Sequence, residues 1–282
     1  MAEVGVIGLG EIGASVASAL ASAGSQVSVC DVRVEATQRL SDHCRVAPDP
    51  AALGAASDIV IVAVVNEHQV RDVLLPPTGA LTTMPPGATA VVVSTVSVAT
   101  LRDVADSARS FGVGVVDCGV SGGPAAAAAG TFVSMVGGEE ENLDKALPAI
   151  EAFSCLVLRM GPLGAGLRAK LCRNVVQYGG WLAAYEAQRI AEAAGIELTD
   201  LAKAIKESDK MIGGASALMF RDTVRPLGPA DDPGLVNAMR SAAALARKDL
   251  LAALELSDEL SLDSPLIRLT ELRIDSVFGV GP

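Results

Sequence analysis

Five short runs in the first half of the chain are apolar almost without interruption: Val4 to Ile7, Val27 to Cys30, Asp58 to Val65, Ala88 to Ser94 and Val113 to Asp117. Between them, apolar positions recur at helical spacing from Ile12 to Ala23, Val34 to Leu40, Glu67 to Leu74 and Leu101 to Ser110. Strands apolar on both faces that alternate with helices predict a parallel sheet covered on each side. Two further strands, Thr131 to Val136 and Cys155 to Leu158, are expected to flank a helix from Glu140 to Phe153. After Leu158 no strand pattern is convincing. Residues 163–194 read as one long helix that opens near Gly161-Pro162 and stops at Gly195. Shorter helices are expected at Thr199 to Lys206, Gly214 to Asp222, Gly234 to Leu256 and Pro265 to Ser276. The fold class is therefore α/β. A doubly wound parallel sheet over residues 1–160 is followed by an all-α domain over 161–282, and the long helix joins them.

The end of the first strand adds chemistry. Gly8-Leu9-Gly10-Glu11-Ile12-Gly13 is G-x-G-x-x-G between a strand and a helix. Gly8 permits the tight turn, Gly10 lets backbone approach a pyrophosphate, and Gly13 lets the helix pack on the strand. The helix N-terminus then offers free N–H groups and a positive dipole end to phosphate. The second strand ends at Asp31, where an acidic side chain can accept a ribose 2′-hydroxyl. This context makes the sheet one of the Rossmann type with a dinucleotide cofactor. Asp31 favours NAD over NADP by repelling a 2′-phosphate, and Arg33 nearby pulls the other way.

Charge and composition narrow the partners. The chain has 22 basic and 33 acidic residues, a net −11, with no basic block. Nucleic acid and anionic membrane surfaces are therefore not expected partners. The longest wholly apolar run, Ile59 to Val65, is too short for a membrane span, and no basic residue precedes Arg33 as a secretory signal would require. Five scattered cysteines read as reduced thiols of a cytoplasmic protein. With His43 and His68 the only histidines, no cluster has zinc spacing, so no metal is expected.

Two more segments point to a substrate. Ser121-Gly122-Gly123 follows the strand ending at Asp117, and consecutive glycine amides can converge on an anion. Lys170 and Asn174 share one helix face, continued by Gln177, Tyr178, Trp181 and Tyr185. The aromatic end reads as a core or interface stripe. Lys170 on an apolar face is costly unless used, and desolvation lowers its pKa toward the range useful for proton transfer. Cys118 and Cys172 near this site read as buried thiols packing as small hydrophobes.

Taken in order, Gly8 to Gly13, Asp117 to Gly138 with its Gly130-Thr131-Phe132-Val133-Ser134-Met135-Val136-Gly137-Gly138 run, and Gly164 to Asn174 resemble the β-hydroxyacid dehydrogenase family. The resemblance covers essentially the whole chain. It implies that Lys170 is the catalytic lysine, and that Ser121, Gly122, Gly123 and Asn174 hold a small carboxylate substrate. It implies cofactor contacts at Val64, Val65 and Asn66, at Thr95, and at Lys248 of a Lys-Asp-Leu segment. It also implies homodimers or homotetramers. Two positions depart from the family: Arg173 stands where an asparagine is usual, and Ser241 where an aromatic is common. They leave open a different substrate on the same fold, such as an imine or a larger hydroxy acid. A non-catalytic dinucleotide-binding protein is the remaining alternative, and intact Lys170, Asn174 and Ser121 weigh against it.

Overall fold

A computed structural model describes residues 2–280. It divides into two compact units, Met1–Cys172 and Arg173–Pro282. The first unit holds strands β1 (Glu3–Ile7), β2 (Gln26–Cys30), β3 (Arg45–Val46), β4 (Ile59–Val62), β5 (Thr89–Val92), β6 (Gly114–Ser121), β7 (Phe132–Gly138) and β8 (Ser154–Gly161). They form one sheet in the order β3-β2-β1-β4-β5-β6-β7-β8. Helices α1 (Glu11–Ser22), α2 (Val34–Gln38), α3 (Pro50–Ala55), α4 (Glu67–Leu74), α5 (Val98–Arg109), α6 (Gly123–Ala129) and α7 (Glu140–Glu151) belong to the same unit.

Because the strands are apolar on both faces, two cores form. On one face Val6, Val29, Ile61 and Val91 pack with Leu20 of α1 and Ile150 of α7. On the other, Val60, Val62 and Val92 pack with Leu53 of α3, Leu74 of α4 and Leu101 of α5. Each such fully buried aliphatic side chain contributes about 1.5–3 kcal/mol.

The expected α/β sheet is present and mostly parallel, with one exception. β7 runs antiparallel to β6, with Cys118 opposite Val136. The reason is length. Only the short α6 and its flanking turns separate Ser121 from Phe132, and a parallel crossover needs a dozen or more residues. Four short elements were not expected: β3, α3, α6 and a 3-10 turn at Ala80–Thr82. The signal for α3 was nonetheless present, since Asp49 caps it by accepting from the Ala52 amide at 2.7 Å and Pro50 sits in its first turn. Helix α5 begins three residues earlier than its periodicity suggested, because Ser97 caps it.

The long helix is α8 (Ala165–Ala193), followed by α9 (Leu198–Ile212), α10 (Pro233–Glu259) and α11 (Pro265–Val277). The helix expected at Gly214 to Asp222 does not form. Gly213 leaves the helical region at φ +78°. Beyond it, local bonds take the backbone's place: Arg221 donates to the Arg225 carbonyl, and Arg225 forks onto Asp231 at 2.8 and 2.6 Å. Asp231 also accepts from the Gly228 amide at 2.8 Å. α9 instead runs six residues past its expected end. Within the second unit Glu186 of α8 caps α11, accepting from the amides of Leu266 at 2.9 Å and Ile267 at 3.2 Å. Arg247 of α10 bridges Glu271 and Asp275 of α11. Among the described residues no helix is long and apolar enough to cross a membrane.

Candidate active site

The strand order reverses at β1, which pairs with β2 on one side and β4 on the other. Beyond the carboxyl ends of strands at such a point an open sheet leaves room for a ligand. After β1, Gly8 holds φ +89°, and a Cβ on Gly13 would overlap the Gly8 carbonyl oxygen. Glycine at both positions lets α1 start directly against the strand. Gly10 is the opposite case: a Cβ there would meet nothing within 4 Å. Its open side and the uncapped first turn of α1 make a cradle that phosphate oxygens suit.

The turn after β4 is locked from β5. The Val64 amide donates to the Ser94 hydroxyl at 2.8 Å, and that hydroxyl donates to the Val64 carbonyl at 2.8 Å. The Val65 amide donates to Gln69 Oε1 at 2.9 Å. Asn66 spends its side chain as the N-cap of α4, accepting from the Gln69 amide at 3.0 Å. Gly10, Glu11, Ile12, Val64, Val65 and Thr95 face one groove of ≈ 340 Å³, and Lys170 closes it. Ser94, which with Thr95 resembles the family's nicotinamide-ribose segment, lines the same groove, and sequence reasoning missed Ala63 and Val93 there. Their signal was their place at the ends of the apolar runs.

Lys170 reaches the groove because α8 starts on the sheet. Asp117 in β6 is fully buried and accepts from the Gly164 amide at 2.6 Å and the Leu167 amide at 2.7 Å. It thus anchors the first turn of α8, a positioning role that the sequence reading did not assign. Burial pushes the Asp117 carboxyl up, and the backbone amides pull the other way. Gly119 completes the seat, since a Cβ there would stand 2.7 Å from Lys170 Cβ. Lys170 Nζ donates to Thr95 Oγ1 at 2.5 Å. Burial holds the lysine below its ordinary 10.5, so neutral amine is available at lower pH than in free lysine. The Cys118 thiol beneath is wholly buried and pushed up to about 12 by desolvation, so it stays protonated. Cys172, expected to be buried, is exposed.

The remaining predicted residues lie elsewhere. Leu9 is buried and its amide donates to Asp31 Oδ2 at 2.6 Å. Ser121 ends β6, and Gly122 and Gly123, at φ +136° and +67°, turn the chain into α6. Asn174 follows Lys170 by four residues in α8. Lys248 is in α10, exposed and paired with Asp249 at 3.1 Å. Trp181 and Tyr185 are exposed at 61% and 58%.

Residues 3–161 match the family described as the NAD binding domain of 6-phosphogluconate dehydrogenase. An NAD-dependent L-serine dehydrogenase of Pseudomonas aeruginosa is 36% identical over 222 residues, covering 77% of this chain and 72% of the relative. The chain belongs to the β-hydroxyacid dehydrogenase family. Two solved structures agree with that membership. An oxidoreductase from Mycobacterium avium is 34% identical over 100% of both chains, with a TM-score of 0.92. A Mycobacterium tuberculosis 3-hydroxyisobutyrate dehydrogenase, solved with L-serine, is 29% identical over 97% of this chain and 92% of its own, with a TM-score of 0.68. As a β-hydroxyacid dehydrogenase the chain is an NAD(P)-dependent oxidoreductase. The groove fits that cofactor: the open side of Gly10 and the free amides of α1 suit a pyrophosphate, and Thr95 and Lys170 line the same groove.

Proposed function

We propose that the protein transfers a hydride between NAD(P) and a small β-hydroxy acid or its semialdehyde, of the size of 3-hydroxyisobutyrate. The observation that carries this reading is Lys170: half-buried, depressed in pKa, and hydrogen-bonded to Thr95 inside the groove beside the glycine-rich turn. The nicotinamide supplies the hydride chemistry when bound. In the oxidative direction Lys170 Nζ, as neutral amine, accepts the substrate hydroxyl proton; in the reductive direction the ammonium returns it. Ser121 and the amides of Gly122 and Gly123 hold the substrate carboxylate, and Asn174 holds the reacting oxygen. Fixing the carboxylate aims the carbon that changes oxidation state.

NAD is the preferred cofactor in this reading, because Asp31, directly after β2, carries a carboxylate that disfavours a 2′-phosphate. Asn66 and Lys248 complete the proposed cofactor contacts. A cytoplasmic setting agrees with five unpaired cysteines.

The reading includes association with further copies of the chain as a homodimer or homotetramer. Trp181, Met211, Leu245 and Leu272 of the second unit are exposed large apolar side chains, the kind of surface that association covers. Size-exclusion chromatography with light scattering tests this, and a monomer at micromolar concentration would overturn it.

The chemical reading is tested by absorbance at the reduced-nicotinamide band, with β-hydroxy acids and their semialdehydes and both cofactors. A rate that requires the carboxylate supports it. Turnover of imines alone, with none of the acids active, would overturn it.

A further inference from the structure

Asp31 is the residue on which cofactor choice turns, and its carboxylate is already fully engaged. Oδ2 accepts from the Leu9 amide at 2.6 Å and from Arg33 Nη2 at 3.1 Å. Oδ1 accepts from the Arg33 amide at 2.8 Å and from Arg33 Nε at 3.1 Å. A carboxylate has about four acceptor positions, and here all four are taken. The Asp31 side chain is 6% exposed beneath an Arg33 side chain that is 57% exposed. Arg33 Nη2 also donates to the Leu9 carbonyl at 3.1 Å, so the guanidinium lies across the glycine-rich turn.

The four bonds are of two kinds. The Leu9 and Arg33 amides belong to backbone and cannot leave. The two guanidinium bonds, one to each oxygen, form a fork that can swing away on a flexible stem. They occupy the two acceptor positions that a vicinal diol would take. A ribose with free 2′- and 3′-hydroxyls presents two such donors side by side.

We propose that Arg33 is a latch over the adenosine-ribose subsite, competing with the NAD diol for Asp31 and setting the balance between the two cofactors. The inference rests on the reading of Asp31 as the ribose acceptor. NAD binds only once the guanidinium has released both carboxylate oxygens. NADP carries a phosphate where NAD has one of those donors. The same outward swing of Arg33 then supplies the cation that this phosphate needs beside a carboxylate. Arg33 thus weakens NAD and admits NADP, and the preference that Asp31 would impose alone is narrowed.

Calorimetric titration of NAD and NADP into the full chain tests the latch, with the native protein, Arg33→Ala and Arg33→Lys. Arg33→Ala is expected to tighten NAD about two- to fivefold, the scale of one exposed ion pair, and to weaken NADP about tenfold. Arg33→Lys keeps a charge without the fork. It is expected to tighten NAD as well while keeping more of the NADP affinity. NAD affinity unchanged or lower in Arg33→Ala, with the native protein preferring NAD, overturns the latch and leaves the reading of Asp31 standing. Binding of NADP alone by the native protein and both variants overturns both.

Discussion

Leu101 in α5 and Leu272 in α11 are the same side chain on helices of similar length, yet one is 1% exposed and the other 70%. The contrast runs through most of the two units. In the first, β1, β2 and β4 to β7 are covered and α1, α4, α5 and α7 bury their apolar stripes, while the edge strands β3 and β8 expose Val46, Leu156 and Leu158. In the second, Ala191, Ala243 and Ile274 are the buried apolar side chains among the described residues, while Val175, Trp181, Met211, Leu245 and Leu272 are exposed. Polar contacts tie the second unit's elements together: Glu186 caps α11, Arg247 bridges α10 to α11, and Arg189 donates to the Asp263 carbonyl at 2.9 Å. Apolar surface on this scale suits the association proposed above. The groove, by contrast, is lined by residues of the first unit alone.

The largest effect expected is chemical. Lys170→Ala should lower kcat by about a thousandfold, within the range for loss of a general acid–base, and leave the calorimetric Kd for NAD within about twofold. Retained turnover would remove the first unit's claim to the chemistry. Next is the matched pair of leucines. Leu101→Ala should cost about 2–5 kcal/mol in denaturant titration. Leu272→Ala should cost under about 0.5 kcal/mol in dilute protein, and more as protein concentration rises if a second copy covers it. Equal costs at low concentration would erase the contrast. Smaller again is Glu186→Ala, which leaves two amides of α11 without their acceptor. A loss of about 2 kcal/mol is expected, seen as faster hydrogen exchange in α11 with no change in the exchange of β1, β4 and β5.

The first unit was also far more legible in the sequence. Its strands announce themselves as unbroken apolar runs, and Gly8 to Gly13 place the cradle because strand, turn and helix are contiguous. What escaped reading was pairing across distance. Asp117 looks like the last residue of a strand until the amides of Gly164 and Leu167 arrive. Asn66, proposed as a cofactor contact, has a second role that a motif does not show: its Oδ1 caps α4 by accepting from the Gln69 amide. Asp31 was legible as an acid at a strand end, but not as one whose four acceptor positions are filled. In the second unit the pattern from Gly214 to Asp222 was helical by composition. The Arg225–Asp231 fork and the Gly213 turn settled it otherwise, because side-chain bonds to nearby backbone compete with helix formation. The aromatic stripe of α8 admitted a core or an interface reading. Its exposure in a single chain removes the first.

The finest test of the groove is the bond between Lys170 and Thr95. Burial favours neutral amine and lowers the lysine's pKa from 10.5, and the Cys118 sulfur opposes it. The hydrogen bond from Nζ to Thr95 Oγ1, made by the ammonium at 2.5 Å, acts in the same sense as the sulfur and favours the charged form. Thr95→Val keeps the shape and removes the acceptor, so burial acts with less opposition and the pKa falls further. Oxidation needs neutral amine, so the acidic limb of its pH–rate profile should move to lower pH. Reduction needs ammonium, so its alkaline limb should move the same way. The loss of aim should lower kcat about tenfold, roughly one hydrogen bond to a charged group. Thr95→Ser, which restores the oxygen, should return both limbs and most of the rate. A limb that stays in place or moves to higher pH in Thr95→Val would mean that Thr95 does not hold the catalytic proton in position, and that Lys170 is set by the seat of α8 on β6 alone.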